Sequence, residues 1–141
     1  MPPTTDVVSV ALFSSLSAAS QLQWATAIAS PVGTGRPGPV NAFSLWDPDA
    51  VQVTRGADNI GTYNKTPKSY RKWCKTCGGH IFTEHPEWGL TDVYAAVVPD
   101  FPYQPGVHVN YQETVLRIED GLPKLKDFPE EMGGSGASVP E

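Results

Sequence analysis

Glycine and proline are the residues that most limit what this chain can fold into. The 141-residue sequence contains 13 glycines and 14 prolines, and both residue types interrupt regular structure and favour turns. Such frequent interruption is unusual for a helical protein and suits short strands joined by turns. A chain of this length forms one domain that buries about 68–70% of its unfolded surface, so it does not need a metal merely because it is small. The sequence therefore predicts a mostly β protein.

Alternating apolar and polar residues mark the predicted strands. A period of two is typical of a strand with one buried face. The predicted strands cover residues 40–46, 51–54, 60–64, 69–73, 80–83, 93–98, 107–111 and 113–117. Residues 93–98 form the most apolar of these runs, and we expect them to be the central strand.

Residues 1–38 differ in composition from the rest of the chain. Asp6 and Arg36 are their only charged side chains, and Ser, Ala, Val, Thr, Gly and Pro dominate. A signal peptide would need a positively charged start, which is missing here, and no apolar run approaches the roughly 20 residues that span a membrane. A short helix over residues 20–28, N-capped by Ser20, is expected.

The chain therefore divides into a divergent or irregular N-terminal segment (1–38), a β domain (39–128) and a flexible, glycine-rich C-terminal tail (129–141). We expect a cytoplasmic protein.

Cys74 and Cys77, the only cysteines, are the residues best suited to chemistry. They form a Cys-x-x-Cys motif followed by Gly78-Gly79 between two predicted strands. This arrangement is typical of a zinc knuckle, in which glycine lets backbone N–H groups approach the sulfurs. A tetrahedral zinc site needs four donors, and the motif supplies two. Plain reduced thiols and a redox pair remain alternatives, although a redox pair usually lies at a helix N-terminus.

The three histidines offer further candidate ligands. His80 and His85 are near enough in sequence to complete a Cys2His2 set, but a histidine hydrogen-bonded at a strand start or in a turn is the more common arrangement. His108 lies alone in a predicted strand, so we expect it to be a structural histidine with its hydrogen bonds satisfied. The sequence has no phosphate-binding glycine loop and no serine nucleophile elbow, and it assigns no catalytic residue.

Charge argues against one class of partner. The net charge is −5, whereas nucleic-acid-binding proteins carry broad basic surfaces. The basic cluster before and within the cysteine motif comprises Lys65, Lys68, Arg71, Lys72 and Lys75. It is either a solvated face or a site for a small anionic ligand, which would be held by Lys65, Lys68 and Arg71.

Three stretches of the sequence carry a resemblance to a known family. They are Gly56-Ala-Asp-Asn-Ile-Gly-Thr-Tyr-Asn-Lys-Thr, Arg71-Lys-Trp-Cys-Lys-Thr-Cys-Gly-Gly-His, and Thr83-Glu-His-Pro-Glu-Trp-Gly-Leu-Thr-Asp-Val-Tyr-Ala-Ala. They resemble the glutathione-dependent formaldehyde-activating enzyme family, which includes the centromere protein V type of domain. The likeness continues through His108-Val-Asn-Tyr and Asp120-Gly-Leu-Pro-Lys, so it covers residues 40–136, roughly two-thirds of the chain.

The resemblance implies an Mss4-like fold of coiled antiparallel β-sheets with a Cys-x-x-Cys zinc-knuckle turn. It also implies a zinc-dependent carbon–sulfur lyase that acts on the S-hydroxymethyl adduct of glutathione and formaldehyde, with glutathione as co-substrate. In that family a structural zinc is held by an early Cys-x-Cys and a later Cys-x-x-Cys, matched here by Cys74 and Cys77. A catalytic zinc is held by an intervening Cys-x-Cys-x-x-Cys.

The departure from the family pattern lies before residue 41. No cysteine precedes Cys74, so the early Cys-x-Cys and the catalytic motif have no counterparts. A four-ligand structural zinc contributes about 10–16 kcal/mol in small peptides, and half a site retains far less. The sequence therefore predicts an impaired or inactive lyase. The alternatives are a non-catalytic module that binds glutathione or another small ligand, and a Cys74–Cys77 thiol redox protein.

The abrupt start of the likeness near residue 38 needs its own explanation. Our hypothesis is that residues 1–38 are an out-of-frame or mis-spliced translation that replaces the family's N-terminal part. The alternative is a divergent paralogue that abandoned zinc. Reading the coding DNA upstream of Val40 in the other two frames distinguishes them, because only the first hypothesis places the missing cysteine motifs there.

Overall fold

The chain is described by a computed structural model over residues 8–12, 22–26, 40–98 and 100–141, with the backbone alone for residues 22–26 and Lys65. Its strands are β1 (Ser9–Leu12), β2 (Leu22–Thr26), β3 (Asn41–Trp46), β4 (Val51–Arg55), β5 (Ile60–Thr66), β6 (Ser69–Cys74), β7 (His80–His85), β8 (Leu90–Tyr94) and β9 (Val107–His108). In these ranges the helices are 3-10 turns of three residues, and none could cross a membrane. The prediction of a mostly β protein is confirmed, and the Mss4-like fold stays a prediction.

The chain forms two compact units. The first comprises Met1–Gln21 and Leu45–Phe101, and the second comprises Leu22–Ser44 and Pro102–Glu141. Strand β3 begins in the second unit and ends in the first. The predicted division into an N-terminal segment (1–38), a β domain (39–128) and a C-terminal tail (129–141) stays a prediction.

The first unit is built around a four-stranded antiparallel meander. Strands β5, β6, β7 and β8 pair in chain order, with Ile60 opposite Cys74, Lys72 opposite Phe82 and Thr83 opposite Asp92. Strand β1 pairs antiparallel with β4. Because consecutive strands are joined by short turns, residues close in sequence meet at the two ends of the meander.

The core of the first unit is apolar. Strands β6, β7 and β8 contribute buried residues to it, and β5 contributes the partly buried Ile60. Its buried residues are Trp46, Ala50, Cys74, Ile81, Phe82, Val93 and Val98. The Trp46 and Phe101 rings pack edge to face at 5.2 Å between centroids, an arrangement that aromatic pairs prefer. Cys74 is therefore anchored in a hydrophobic core.

The second unit has a more polar interior. Strand β2 pairs in parallel with β9, with Ala25 opposite His108. Its buried residues include Phe43, Val109 and Tyr111, but also His108 and Lys124.

Hydrogen bonds join residues 124–139 of this unit into a ladder. Lys126 N–H donates to Ala137 O (2.7 Å), and Val139 N–H donates to Lys124 O (2.8 Å). The flexibility expected of residues 129–141 stays a prediction, but their backbone is extensively hydrogen-bonded.

Four local expectations are wrong. Residues 22–26 form a strand rather than part of a helix, because they pair with β9 and pairing outweighs weak helix propensity. The strand expected at 93–98 ends at Tyr94 and gives way to a 3-10 turn. The strand expected at 107–111 ends at His108, since Asn110 adopts a left-handed φ of 53°. Residues 113–117 are not a strand, and Val115 and Leu116 are exposed.

Candidate functional site

The Cys74–Cys77 turn joins β6 to β7. Cys74 N–H donates to Gly79 O (2.9 Å), and Gly78 N–H donates to Cys74 O (2.8 Å). Gly78 has a φ of +74°, which a residue with a side chain rarely adopts. The glycine in this motif therefore lets the chain reverse and places both thiols in one turn.

Backbone N–H groups surround the Cys74 sulfur. Cys74 is buried, whereas Cys77 is exposed, and both are free thiols. Hydrogen bonds from the backbone N–H of Cys77, and then of Thr76 and Val8, lower the pKa of the Cys74 thiol despite the opposing effect of burial. The side-chain amide of Asn59 also donates to Cys74 Sγ (3.5 Å) and to Thr76 Oγ1 (2.7 Å). These neutral donors stabilise negative charge on sulfur, which both a metal ligand and a nucleophilic thiol require.

The residues that the structure describes do not bring together the donors of a four-ligand zinc site. All cysteines and histidines of the sequence lie in the part that the structure describes. Within that part, no three His, Cys, Asp or Glu side chains form a group that could hold a metal ion. His80 instead begins β7, with its ring edge-on to Tyr94 at 6.0 Å. Among the described residues, Cys74 and Cys77 therefore supply two of the four donors that a structural zinc site needs.

The predicted basic cluster is divided between the two ends of β6. Lys68 lies in the turn before β6, whereas Cys74 ends that strand, so the two are roughly 17–20 Å apart along it. Lys68 pairs with Glu87 (2.9 Å) and Lys72 with Glu84 (3.3 Å). Arg71 is in the strand between, and only the backbone of Lys65 is described. The binding of an anion by Lys65, Lys68 and Arg71 stays a prediction.

A histidine–aspartate pair that the sequence analysis did not identify lies at the Lys68 end of the meander. His85 Nε2–H donates to Asp92 Oδ2 (2.9 Å), while Asp92 Oδ1 accepts from Thr83 N–H (3.0 Å). The His85 ring also stacks on Trp88 at 4.9 Å. His85 Nδ1 makes no hydrogen bond to another described residue. A buried carboxylate thus orients an imidazole, as at many acid–base sites. The hairpin register of β7 and β8 was the missed signal, because it places Asp92 beside His85.

A second histidine–aspartate pair belongs to a larger ionic cluster in the second unit. His108 Nε2–H donates to Asp120 Oδ2 (2.7 Å). Lys124 Nζ donates to Asp120 Oδ1 (2.8 Å), to Leu122 O (2.9 Å) and to the Glu141 carboxylate. His108 is buried as expected, but its Nδ1 lacks a hydrogen-bond partner among the described residues, so its bonds are only half satisfied.

Comparison with known proteins gives little further information. No family model and no curated protein matches the chain. The chain is similar to the crystal structure of a Rhodobacter sphaeroides protein from a structural genomics programme, with 18% identity and a TM-score of 0.46 over 70% of this chain and 90% of that one.

Proposed function

We propose that this protein is a small-thiol-adduct-binding β domain of the glutathione-dependent formaldehyde-activating type, whose zinc-dependent carbon–sulfur lyase step is impaired. The sequence stretches quoted above support the family. The separation of the described donors supports the loss of the lyase step, because no third His, Cys, Asp or Glu among them joins Cys74 and Cys77.

The observation that carries the proposal is that no three His, Cys, Asp or Glu side chains among the described residues lie close enough together to hold a metal ion. A Lewis-acid metal acts only where several protein ligands fix it and leave one position open. The described residues supply two thiols and no third donor. The binding of an anionic thiol adduct needs cationic and hydrogen-bonding groups instead, and Lys68 and Arg71 are the candidates. We further propose that the partner is a small molecule in the cytoplasm, rather than a nucleic acid or a membrane.

The proposal is tested by separating binding from turnover. The purified chain is mixed with glutathione, with formaldehyde, or with both, and its melting temperature is measured. We expect stabilisation by the mixture that forms the adduct, since a ligand at a hundred times its Kd adds about 2.7 kcal/mol to the free energy of unfolding. The variant Lys68→Gln should reduce this shift, and Lys126→Gln, which changes an exposed lysine elsewhere, should not.

Turnover and metal content complete the test. Exchange between free and adduct-bound glutathione, followed by NMR, should proceed no faster than in buffer, and the protein should retain less than one zinc per chain. One tightly held zinc together with faster exchange would show an active lyase. Absence of any stabilisation by the adduct would remove the binding function.

A second candidate, a thiol redox pair, is favoured by the contrast between the two cysteines. Cys77 is exposed and Cys74 is buried three residues away. The Cys77 thiolate would attack a small disulfide and release one thiolate. The Cys74 thiolate would then attack the Cys77 sulfur and release the second, so that one disulfide is reduced and the Cys74–Cys77 disulfide forms. Titration in glutathione redox buffers should show a reversible loss of two hydrogens by mass, and Cys77→Ser should prevent it. A thiol pair that stays reduced in oxidised glutathione would exclude this function.

A further inference from the structure

The second unit contains a cleft that none of the interpretations above uses. It has a volume of about 440 Å³ and lies against Tyr111, within the range of about 300–1,000 Å³ that is common for small-molecule sites. Two segments of the chain line the cleft. The first contributes Gln112, Thr114 and Val115, and the second, near the C-terminal end, contributes Val139 and Pro140. Among the described residues that line it, Arg117 alone is charged. We call this site the Arg117 cleft.

Local hydrogen bonds hold the loop that lines the Arg117 cleft. Tyr111 is only 3% exposed, and its hydroxyl oxygen accepts from Ile118 N–H at 2.9 Å. Thr114 N–H donates to Tyr111 O (3.1 Å), and Thr114 Oγ1 donates to Leu116 O (2.7 Å). The segment that the sequence suggested as a last strand is therefore a fixed loop, and its shape is set before any ligand arrives.

The C-terminal lining is fixed by the ionic cluster. Val139 N–H donates to Lys124 O (2.8 Å). The Glu141 carboxylate accepts from Lys124 Nζ and from the backbone N–H of Gly121 (2.8 Å). The Lys124 side chain is 1% exposed. Movement of Glu141 away from it is unfavourable, because the buried ammonium group would then have one carboxylate fewer. The hydrogen bonds of Val139 and of Glu141 therefore fix the segment on either side of Pro140.

Arg117 is a charged residue that lines the cleft. It makes no ion pair or hydrogen bond with any residue that the structure describes. This differs from Lys68, Lys72 and Lys124, which all pair with carboxylates. A guanidinium group presents its N–H donors in a plane that matches a carboxylate with two parallel hydrogen bonds.

We propose that the Arg117 cleft binds a small organic carboxylate with a short apolar body. Arg117 pairs with the carboxylate, and Val115, Val139 and Pro140 contact the apolar part. One cation among otherwise neutral lining residues matches a single negative charge, whereas a phosphate dianion would keep an uncompensated charge. The site lies within the second unit and is independent of the function proposed for Cys74 and Cys77.

The test uses 3-methylbutanoate as the probe and its neutral amide as the matched control. Backbone amide signals of the ¹⁵N-labelled full chain are followed by NMR during titration. We expect saturable shifts at Gln112, Thr114, Val115 and Val139 with a Kd on the order of 1 mM. The amide should bind at least about tenfold more weakly, since a charge-assisted hydrogen bond is lost.

Three variants locate the binding. Arg117→Gln should weaken 3-methylbutanoate binding about tenfold or more, and Arg55→Gln, an exposed arginine in the first unit, should leave it unchanged. Glu141→Gln should weaken binding because the Val139–Pro140 lining is less firmly held. Unsaturable shifts, equal binding of the amide, or full binding by a folded Arg117→Gln variant would each overturn the proposal.

Discussion

The two compact units stabilise a buried ionisable side chain, Cys74 in the first and Lys124 in the second, in different ways. In the first unit, neutral backbone N–H donors surround the Cys74 sulfur, and the one with the largest effect on its pKa belongs to Cys77, three positions later. In the second unit, full charges surround Lys124, and they come from Asp120 and Glu141. The strongest donor to Cys74 comes from its own turn, whereas Lys124 is paired both with the nearby Asp120 and with Glu141, which lies 17 residues later.

This difference has an energetic consequence. Removal of a neutral hydrogen bond costs about 0.5–1.5 kcal/mol of net stability, but removal of one partner from a buried charge pair leaves the other uncompensated. The second unit should therefore be more sensitive to single substitutions and to acid. The first unit should change its thiol chemistry before it loses its fold.

Lys124→Met should have the largest effect on stability. Loss of the buried ammonium leaves Asp120 and Glu141 without their shared cation. Full burial would make this loss worth about 3–5 kcal/mol. Because the two carboxylates are 34% and 39% exposed, we expect about 2–3 kcal/mol. Urea unfolding measures it, with Lys126→Met, at an exposed lysine, as a control expected to change within about 0.5 kcal/mol. Equal stability of the two variants would contradict the importance of the cluster.

Acid should weaken the second unit through the same cluster. Burial alone would raise the pKa of Asp120, but hydrogen bonds from Lys124 and His108 outweigh it and hold that pKa well below its usual range. The hydrogen bond from Lys124 likewise lowers the pKa of Glu141. A lowered carboxyl pKa contributes stability that is complete above the unfolded value of about 4 and is lost as pH falls towards the folded value.

The pH test compares urea unfolding of the protein and of Asp120→Asn from pH 6 downwards, on the order of one pH unit per step. The unfolding free energy of the unchanged protein should fall below about pH 4, and Asp120→Asn should flatten this fall. At alkaline pH, in contrast, stability is lost as the pH rises. Hydrogen bonds to Asp120 and Glu141 raise the pKa of Lys124 against the effect of burial, so its contribution is lost above about pH 10.4. An Asp120→Asn variant with an unchanged acid slope would contradict this explanation.

The variants Gly78→Ala and Gly89→Ala should together distinguish the cost of backbone strain from an effect on the reactivity of the cysteine thiols. Gly78 has a φ of +74° and nothing within 4 Å of an added Cβ, so the cost is backbone strain of about 1 kcal/mol. Gly89 has a φ of +61° and equally open surroundings, so Gly89→Ala should cost a similar amount. Only Gly78→Ala should change the rate at which iodoacetamide alkylates Cys77, because only it alters the cysteine turn. Equal rates in both variants would show that this turn does not tune the thiols.

Asn59→Ala should have the smallest effect on stability. The Asn59 side-chain amide donates hydrogen bonds to Thr76 Oγ1 and Cys74 Sγ. The loss of these bonds should lower the free energy of unfolding by about 0.5–1 kcal/mol. The backbone donors stay in place, so the pKa of Cys74 should rise only slightly and remain lowered. The pH dependence of Cys74 alkylation in a Cys77→Ser background measures this. A Cys74 pKa at its ordinary value would mean that Asn59, rather than the backbone, stabilises the thiolate.

Local elements of the fold were predictable from the sequence. The strands at residues 41–46, 51–55, 60–66, 69–74 and 80–85 follow the alternation of apolar and polar residues, because pleating fixes which side chains face the core. The turn at Cys74–Cys77 follows from Gly78-Gly79. Errors concentrate in the second unit, where β2 pairs in parallel with a strand over 80 residues later and where Asn110 interrupts a regular alternation.

The candidate sites show the same division. The sequence by itself determined the positions of both thiols, since a Cys-x-x-Cys-Gly-Gly turn between strands depends on residues that are neighbours in the chain. The tertiary structure alone decided that Asp92 orients His85 and that Glu141 compensates Lys124. It also decided that Arg117 lines a cleft in which no other described residue is charged. Such pairings depend on strand register and on how distant segments of the chain meet. The pattern of residue types along the sequence does not specify which charged side chains become neighbours in the fold.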